Sequence, residues 1–226
     1  MTARICVSIL PKNNLEALSL IERAEKAQAN LIEVRLDCFE ASRNLSELVK
    51  STKVPLIATN KLLIEKGFYA GTETERQQTL LNAAKNGFEY VDVNLSSPKH
   101  KETIEKLKLL SAKPIVSYHK FDGALSVCEM ETVLEKEIAG GAIVCKIVTA
   151  AKKIEDNLTV LSFVASNSGK AKLVCFCMGE QGKVSRLLSP MFGAFFTFAS
   201  LEQGNETASG QMTVQEMRGI YNLLGA

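Results

Sequence analysis

Short runs rich in valine, isoleucine, phenylalanine and cysteine recur along the chain, and each is followed by a longer stretch with helical spacing of its apolar residues. The runs are "ICVSIL", "LIEVRLD", "VPLIATN", "FEYVDVNL", "PIVSYHK", "AIVCKIVTA", "AKLVCFCM" and "AFFTFA". Their lengths and β-branched content predict strands. The stretches between them predict helices. In "NLEALSLIERAEKAQAN" the residues Leu15, Leu18, Ile21 and Ala24 form one apolar face. "TETERQQTLLNAAKNG" opens on acids and stops at Gly87, as a helix should. Further helical patterns are "LSELVK", "KETIEKLKLLSA", "CEMETVLEKEIAGG", "IEDNLTVLSFVASNSG", "VSRLLSPMFG" (interrupted by Pro190) and "TVQEMRGIYNLLG". Strand starts fall roughly 23 to 34 residues apart, the size of a βα unit with short loops.

Nearly continuous apolar strands are those of a parallel sheet covered on both faces. Eight βα units close into a (β/α)₈ barrel of α/β class, here one domain spanning residues 1–226. A doubly wound open sheet is the alternative, but no strand is followed by a GxGxxG turn. One segment stands apart: "SLEQGNETASGQ", residues 200–211, is small, polar and glycine-containing, and is expected to be a mobile loop over the mouth.

Composition narrows the function classes. The 226 residues are 46% hydrophobic and 23% charged, enough for a sizeable core under a polar surface. Lysine and arginine total 27 against 25 acids, a net charge of +2 that lacks the basic excess of a nucleic-acid or membrane-surface binder. No run is long enough to span a bilayer, and the apolar stretch before Pro11 is too short for a secretion signal, so a cytoplasmic protein is expected. The six cysteines fit a reducing compartment as small buried hydrophobes. The close pair Cys175 and Cys177 has neither a second pair nor a nearby histidine, so it reads as core and not as a zinc site.

In a barrel of this kind function collects at the C-terminal strand ends. There the sequence sets Ser8, then Glu33 with Arg35, Lys61, Asp92 with Asn94, His119, Lys146, Met178 and Phe198. Lys146 sits in "GAIVCKIVTA", apolar on both sides. An amine stripped of water loses basicity, and a neutral amine attacks ketones to form a Schiff base. The plain alternative is a structural lysine paired with Glu33 or Asp92. His119 occupies the matching place one strand earlier, where an imidazole can move protons beside an imine; a satisfied core histidine is its alternative. His100, in "SPKHKE", reads as solvated. Glu33 and Arg35 share one strand face, as a structural pair or as a grip on a polyhydroxylated substrate. Arg186 can hold a carboxylate by a two-pronged bond. The glycines of "MGEQGKVSR" match no phosphate-loop spacing.

Taken in order, "CVSIL", "EVRLD", "SYHKFD", "CKIV", "SRLLSPMFGAFFTFAS" and "SGQ" resemble the type I 3-dehydroquinate dehydratases, from Ser8 to Gln211. The resemblance implies a barrel that dehydrates 3-dehydroquinate to 3-dehydroshikimate in the shikimate pathway, with no metal or organic cofactor. It implies Lys146 as imine-forming lysine, His119 as general acid/base and Glu65 as a further catalytic group. For substrate binding it implies Ser8, Glu33, Arg35, Lys61, Arg186, Phe198, Thr207 and Gln211, and a homodimer is common in the family. Two departures stand out. In "ATNKLLIEKG", Lys61 replaces the family arginine and Lys66 replaces the first of two glycines after Glu65. In "NETASGQ", Thr207 falls where the family has a serine, with Ser209 as the competing hydroxyl. Two other readings are a Schiff-base aldolase acting on a sugar phosphate and a non-catalytic binding barrel.

Overall fold

The computed structural model describes residues 3–40 and 43–225. Among the described residues eight strands and eight α-helices alternate: β1 (Ile5–Ile9), α1 (Asn14–Lys26), β2 (Leu31–Arg35), α2 (Leu45–Lys50), β3 (Leu56–Thr59), α3 (Glu73–Lys85), β4 (Tyr90–Asn94) and α4 (His100–Leu109) make the first half. β5 (Lys113–Lys120), α5 (Val127–Ala139), β6 (Val144–Ala150), α6 (Asp156–Asn167), β7 (Lys172–Met178), α7 (Lys183–Leu188), β8 (Thr197–Ser200) and α8 (Val214–Leu224) complete it. Every neighbouring pair is parallel, in the order β7-β6-β5-β4-β3-β2-β1-β8. The chain therefore forms the (β/α)₈ barrel that the eight runs predict. The ladder stops between β7 and β8, where the Phe195 amide donates to the Leu173 carbonyl at 2.7 Å and bridges the seam.

The helices start where their caps dictate. Thr72, Ser126 and Thr213 each accept from the backbone amide of a glutamate three residues on, and that glutamate's side chain returns the bond. One residue departs from an expected face. Leu15, in the first turn of α1, is 79% exposed, while Leu18, Ile21 and Ala24 pack on the core as expected and Ala17 joins them.

Strand periodicity divides the barrel into layers. Cys6, Leu31, Ile57, Tyr90, Ile115 and Val144 fill its lower interior with Val174 and Phe196. Two residues further along the same strands, on the same face, stand Ser8, Glu33, Thr59, Asp92, Ser117 and Lys146. All six are buried. The apolar plug thus becomes a polar floor in one step of two residues. Alternate residues such as Val34, Ala58, Val116 and Ile147 face the helices. Cys175 and Cys177 belong to that outer apolar layer under α6. Among the described residues no helix is long and apolar enough to cross a membrane.

Candidate active site

Above the polar floor lies a cavity of about 340 Å³ at the C-terminal strand ends. Every residue to which the family resemblance gave a role lines it: Ser8, Glu33, Arg35, Lys61 and Glu65 from the first three units, His119 and Lys146 from the middle; Asp92 and Asn94, also read from a strand end, do not. Arg186, Phe198, Thr207 and Gln211 close it from the other side, and Ser209 lines it too.

Lys146 sits at the centre and is 5% exposed. Its ammonium donates to Asp92 Oδ2 at 3.0 Å, lies 3.7 Å from Glu33 Oε1, and stands 4.3 Å from the centre of the Phe198 ring. This corrects the expectation of an amine in apolar surroundings. Burial lowers the basicity of Lys146, but Asp92 and then Glu33 more than reverse that, and the amine titrates above its ordinary value. The apolar neighbours in the sequence, Cys145 and Ile147, point outward to the helices; the side chain itself points onto the polar floor.

Asp92 is the hub of that floor. Its other oxygen, Oδ1, accepts from Lys61 Nζ at 2.6 Å and from Ser117 Oγ at 2.8 Å. Burial favours the neutral acid, yet Lys146 and Lys61 overcome it and hold the carboxyl well below the usual range. Glu33 accepts from Ser8 Oγ at 2.5 Å and from Thr59 Oγ1 at 2.9 Å. Arg35 does not pair with Glu33; its guanidinium forks onto Asp37 at 2.9 and 2.5 Å.

His119 is half-buried and stacks on Phe121, ring centres 5.9 Å apart and 13° from parallel. Burial, then the cationic Lys61 and Lys146, push its imidazole well below its ordinary pKa; Asp92 opposes them but loses. The ring is therefore neutral at neutral pH. Glu65 stands across the mouth, bonded by Asn94 Nδ2 at 2.5 Å, by the Leu62 amide at 3.1 Å and by Arg76 at 3.3 Å. Lys66, beside it, has φ of 59°, the left-handed conformation that glycine adopts freely, and lays its ammonium 4.4 Å from the Phe121 ring. That conformation accounts for a glycine at this place in the resembling family.

Arg186 is 2% exposed, lies over the Phe176 ring at 4.3 Å, and has no partner for Nε or Nη2 among the described residues. Burial pushes it down to about 10. An unpaired buried guanidinium facing a cavity is a site for an anion. Over it folds the 200–211 segment: Gly179 donates to the Ser209 carbonyl at 3.0 Å, and the Gln211 side chain is tied to Thr207 by bonds of 2.7 and 3.0 Å.

The profile of the Type I 3-dehydroquinase family matches residues 5–226. The chain belongs to that family. A protein of Dehalococcoides mccartyi named 3-dehydroquinate dehydratase is 35% identical over 217 residues, covering 96% of this chain and 94% of the relative. One of the same name from Methanococcus maripaludis is 32% identical over 222 residues, covering 97% and 99%. The crystal structure of the type I enzyme of Clostridium difficile superposes with a TM-score of 0.90 at 24% identity, covering 99% of this chain and 92% of that one. That of Aquifex aeolicus gives 0.82 at 25% identity, covering 97% and 98%. As a type I 3-dehydroquinase the chain is a hydro-lyase of the shikimate pathway.

Sequence reasoning left out some groups of the floor and the mouth. Asp92 was visible at its strand end as a possible partner of Lys146, but not as the hub of two lysines. Thr59 and Ser117 each lie two residues before a named group, on the same strand face, and that parity is the signal that finds them. Phe121 lies past the end of β5, where periodicity gives no guidance.

Proposed function

We propose that this type I 3-dehydroquinase removes water from 3-dehydroquinate through a Schiff base on Lys146, with His119 as the general acid/base. The observation that carries this is one cavity holding a lysine on an anionic floor, a neutral imidazole and an unpaired arginine. The substrate carboxylate docks on the free Nε and Nη2 of Arg186, which places the ring over Phe176 and Phe198 and its ketone toward Lys146.

Lys146 begins as a cation, so its proton must leave before it can attack. Neutral His119 takes that proton. The amine adds to the ketone carbon, the carbinolamine loses water with a proton from His119, and a cationic imine remains in place of the C=O. The imine withdraws electrons from the neighbouring carbon, and His119 removes a proton there to give an enamine. The electron pair then returns to form the ring double bond as the adjacent hydroxyl leaves, protonated by His119. Water hydrolyses the imine and frees Lys146. Glu33 and Asp92 keep the charge of Lys146 and its imine compensated throughout. Glu65 borders the same cavity and orients the polar groups of the mouth. Ser8 and Thr59 hold Glu33, while Arg35 and Lys61 present N–H donors to substrate hydroxyls. The loop that carries Thr207 and Gln211 excludes water during the reaction.

Borohydride reduction with 3-dehydroquinate present, followed by peptide mapping, tests the covalent step. The expected product is a single stable adduct on Lys146. An active enzyme that yields an adduct on another lysine, or none, rejects the mechanism.

A further inference from the structure

One carboxylate serves two ammonium groups on the barrel floor. Asp92 Oδ1 binds Lys61 at 2.6 Å and Oδ2 binds Lys146 at 3.0 Å. Lys61 is also bonded to Ser117 Oγ at 3.1 Å, so two of its three N–H donors are already committed below the cavity. Its backbone is clamped as well. The Tyr69 amide donates to the Lys61 carbonyl at 3.1 Å, and a Cβ on Gly67 would come within 2.1 Å of that oxygen, so the loop fits this turn only with glycine there. The lysine is held as a fixed charge, not as a tether free to follow a ligand.

We propose that Lys61 is a positioning residue for charge: by taking half of Asp92 it weakens the hold of the floor on the Lys146 proton and so keeps that amine within reach of its nucleophilic form. This rests on the Schiff-base reading for its purpose, not for its measurement. Without Lys61, two carboxylates, Asp92 and Glu33, would face one ammonium and lock it protonated. With Lys61 there are two cations for two anions, and each repels the other across a shared, buried carboxylate. Of the two ammonium groups Lys61 is the more tightly bonded, with the shorter contact to Asp92 and the added bond to Ser117. Lys146 keeps the electron pair and its proton passes to His119 or to solvent.

The other charged groups around the pair do not supply this effect. Arg35 is neutralised by Asp37. Glu65 is satisfied by Asn94 and Arg76 at the rim. Arg186 lies across the cavity against Phe176. Below, the Cys6 thiol is pushed up, chiefly by burial, and stays neutral. Among the described residues Lys61 is the one cation besides Lys146 in contact with Asp92. The same charge acts on the acid/base partner: after burial, Lys61 is the strongest influence keeping His119 neutral. The third N–H of Lys61 stays available to a substrate hydroxyl in the cavity that Lys61 lines.

The test reads Lys146 directly in the full, substrate-free chain. Trace acetic anhydride labelling from about pH 6 to about pH 11, with quantification of acetylated Lys146 by peptide mass spectrometry, gives the midpoint of that amine. In Lys61→Met the midpoint is expected to rise, cutting labelling near neutral pH by about tenfold or more. Lys61→Arg, which retains the charge, is expected to stay near the starting value. Lys61→Gln, which keeps a donor for Ser117, gives the same reading as Lys61→Met if the latter folds poorly. An unmoved or lowered midpoint in the neutral variants overturns the proposal, as does an equal rise in Lys61→Arg. Failure to trap substrate on Lys146 would instead strike the Schiff-base reading and leave the labelling result standing.

Discussion

Arg186 shows how a single residue can trade stability for a site. Its guanidinium is buried with Nε and Nη2 unpartnered, compensated only by the face of Phe176 at 4.3 Å. Such a charge is a burden on the substrate-free protein and a grip for a carboxylate. Arg186→Met is therefore expected to melt at the same temperature or higher, while kcat/KM for 3-dehydroquinate falls by about 10²-fold or more. A destabilised variant with unchanged KM would make the arginine structural. His119 yields a second expectation. Its pKa is depressed, so the neutral base persists below the ordinary histidine value and is lost only as pH falls through the lower, folded one. The acid limb of kcat/KM should thus lie below about pH 6.5. A limb at or above that value would mean that the imidazole is not shielded as the geometry indicates. Of these two residues, His119 was legible from its strand end. Arg186 gave only a weak signal as a carboxylate grip, because an arginine in a short helix looks like surface until the fold buries it, and the collinear resemblance strengthened it.

At the scale of elements, strands were more legible than the connections between them. Nearly continuous apolar runs placed all eight, as strands buried on both faces should read, but the step from apolar plug to polar floor showed only in the fold. The buried face of α1 was legible at Leu18, Ile21 and Ala24 and failed only at Leu15, in the exposed first turn. The 200–211 loop has no periodicity, so only its composition spoke. In the fold its tip is seated by a backbone contact: Gly210 has φ of 77°, and a Cβ there would come within 2.1 Å of the Gly179 carbonyl oxygen. Gly210→Ala is accordingly expected to unseat the loop from the end of β7 without touching the core. Steady-state kinetics should show kcat/KM reduced by about tenfold with a near-normal melting temperature. Full activity in this variant would mean that the loop need not dock against β7 for turnover.

The whole molecule carries one charge problem that lies outside the cavity. Glu137 is on α5, on the buried face with Met130, Val133 and Leu134, packed behind β6. It is fully buried, and among the described residues neither oxygen has a hydrogen-bond partner. Burial first, and Asp92 next, push its carboxyl well above the ordinary value. Met130, Val133, Leu134 and Glu137 have the i, i+3, i+4, i+7 spacing of one helix face, so the sequence held the signal and the charge of this glutamate masked it. The sign of its effect follows from linkage. A carboxyl with a raised folded pKa favours the native state below its unfolded value near 4.5, and that advantage drains as pH rises toward the folded value. Glutamine has the same shape and does not titrate. Glu137→Gln should therefore match the parent near pH 3.5 and exceed it near pH 8, by about 1.4 kcal/mol for each unit of the shift, or about 2–4 °C per kcal/mol in melting temperature. Thermal unfolding at the two pH values decides it: a difference independent of pH would show that Glu137 is ionised in the native barrel and that a neighbour supplies the missing cation.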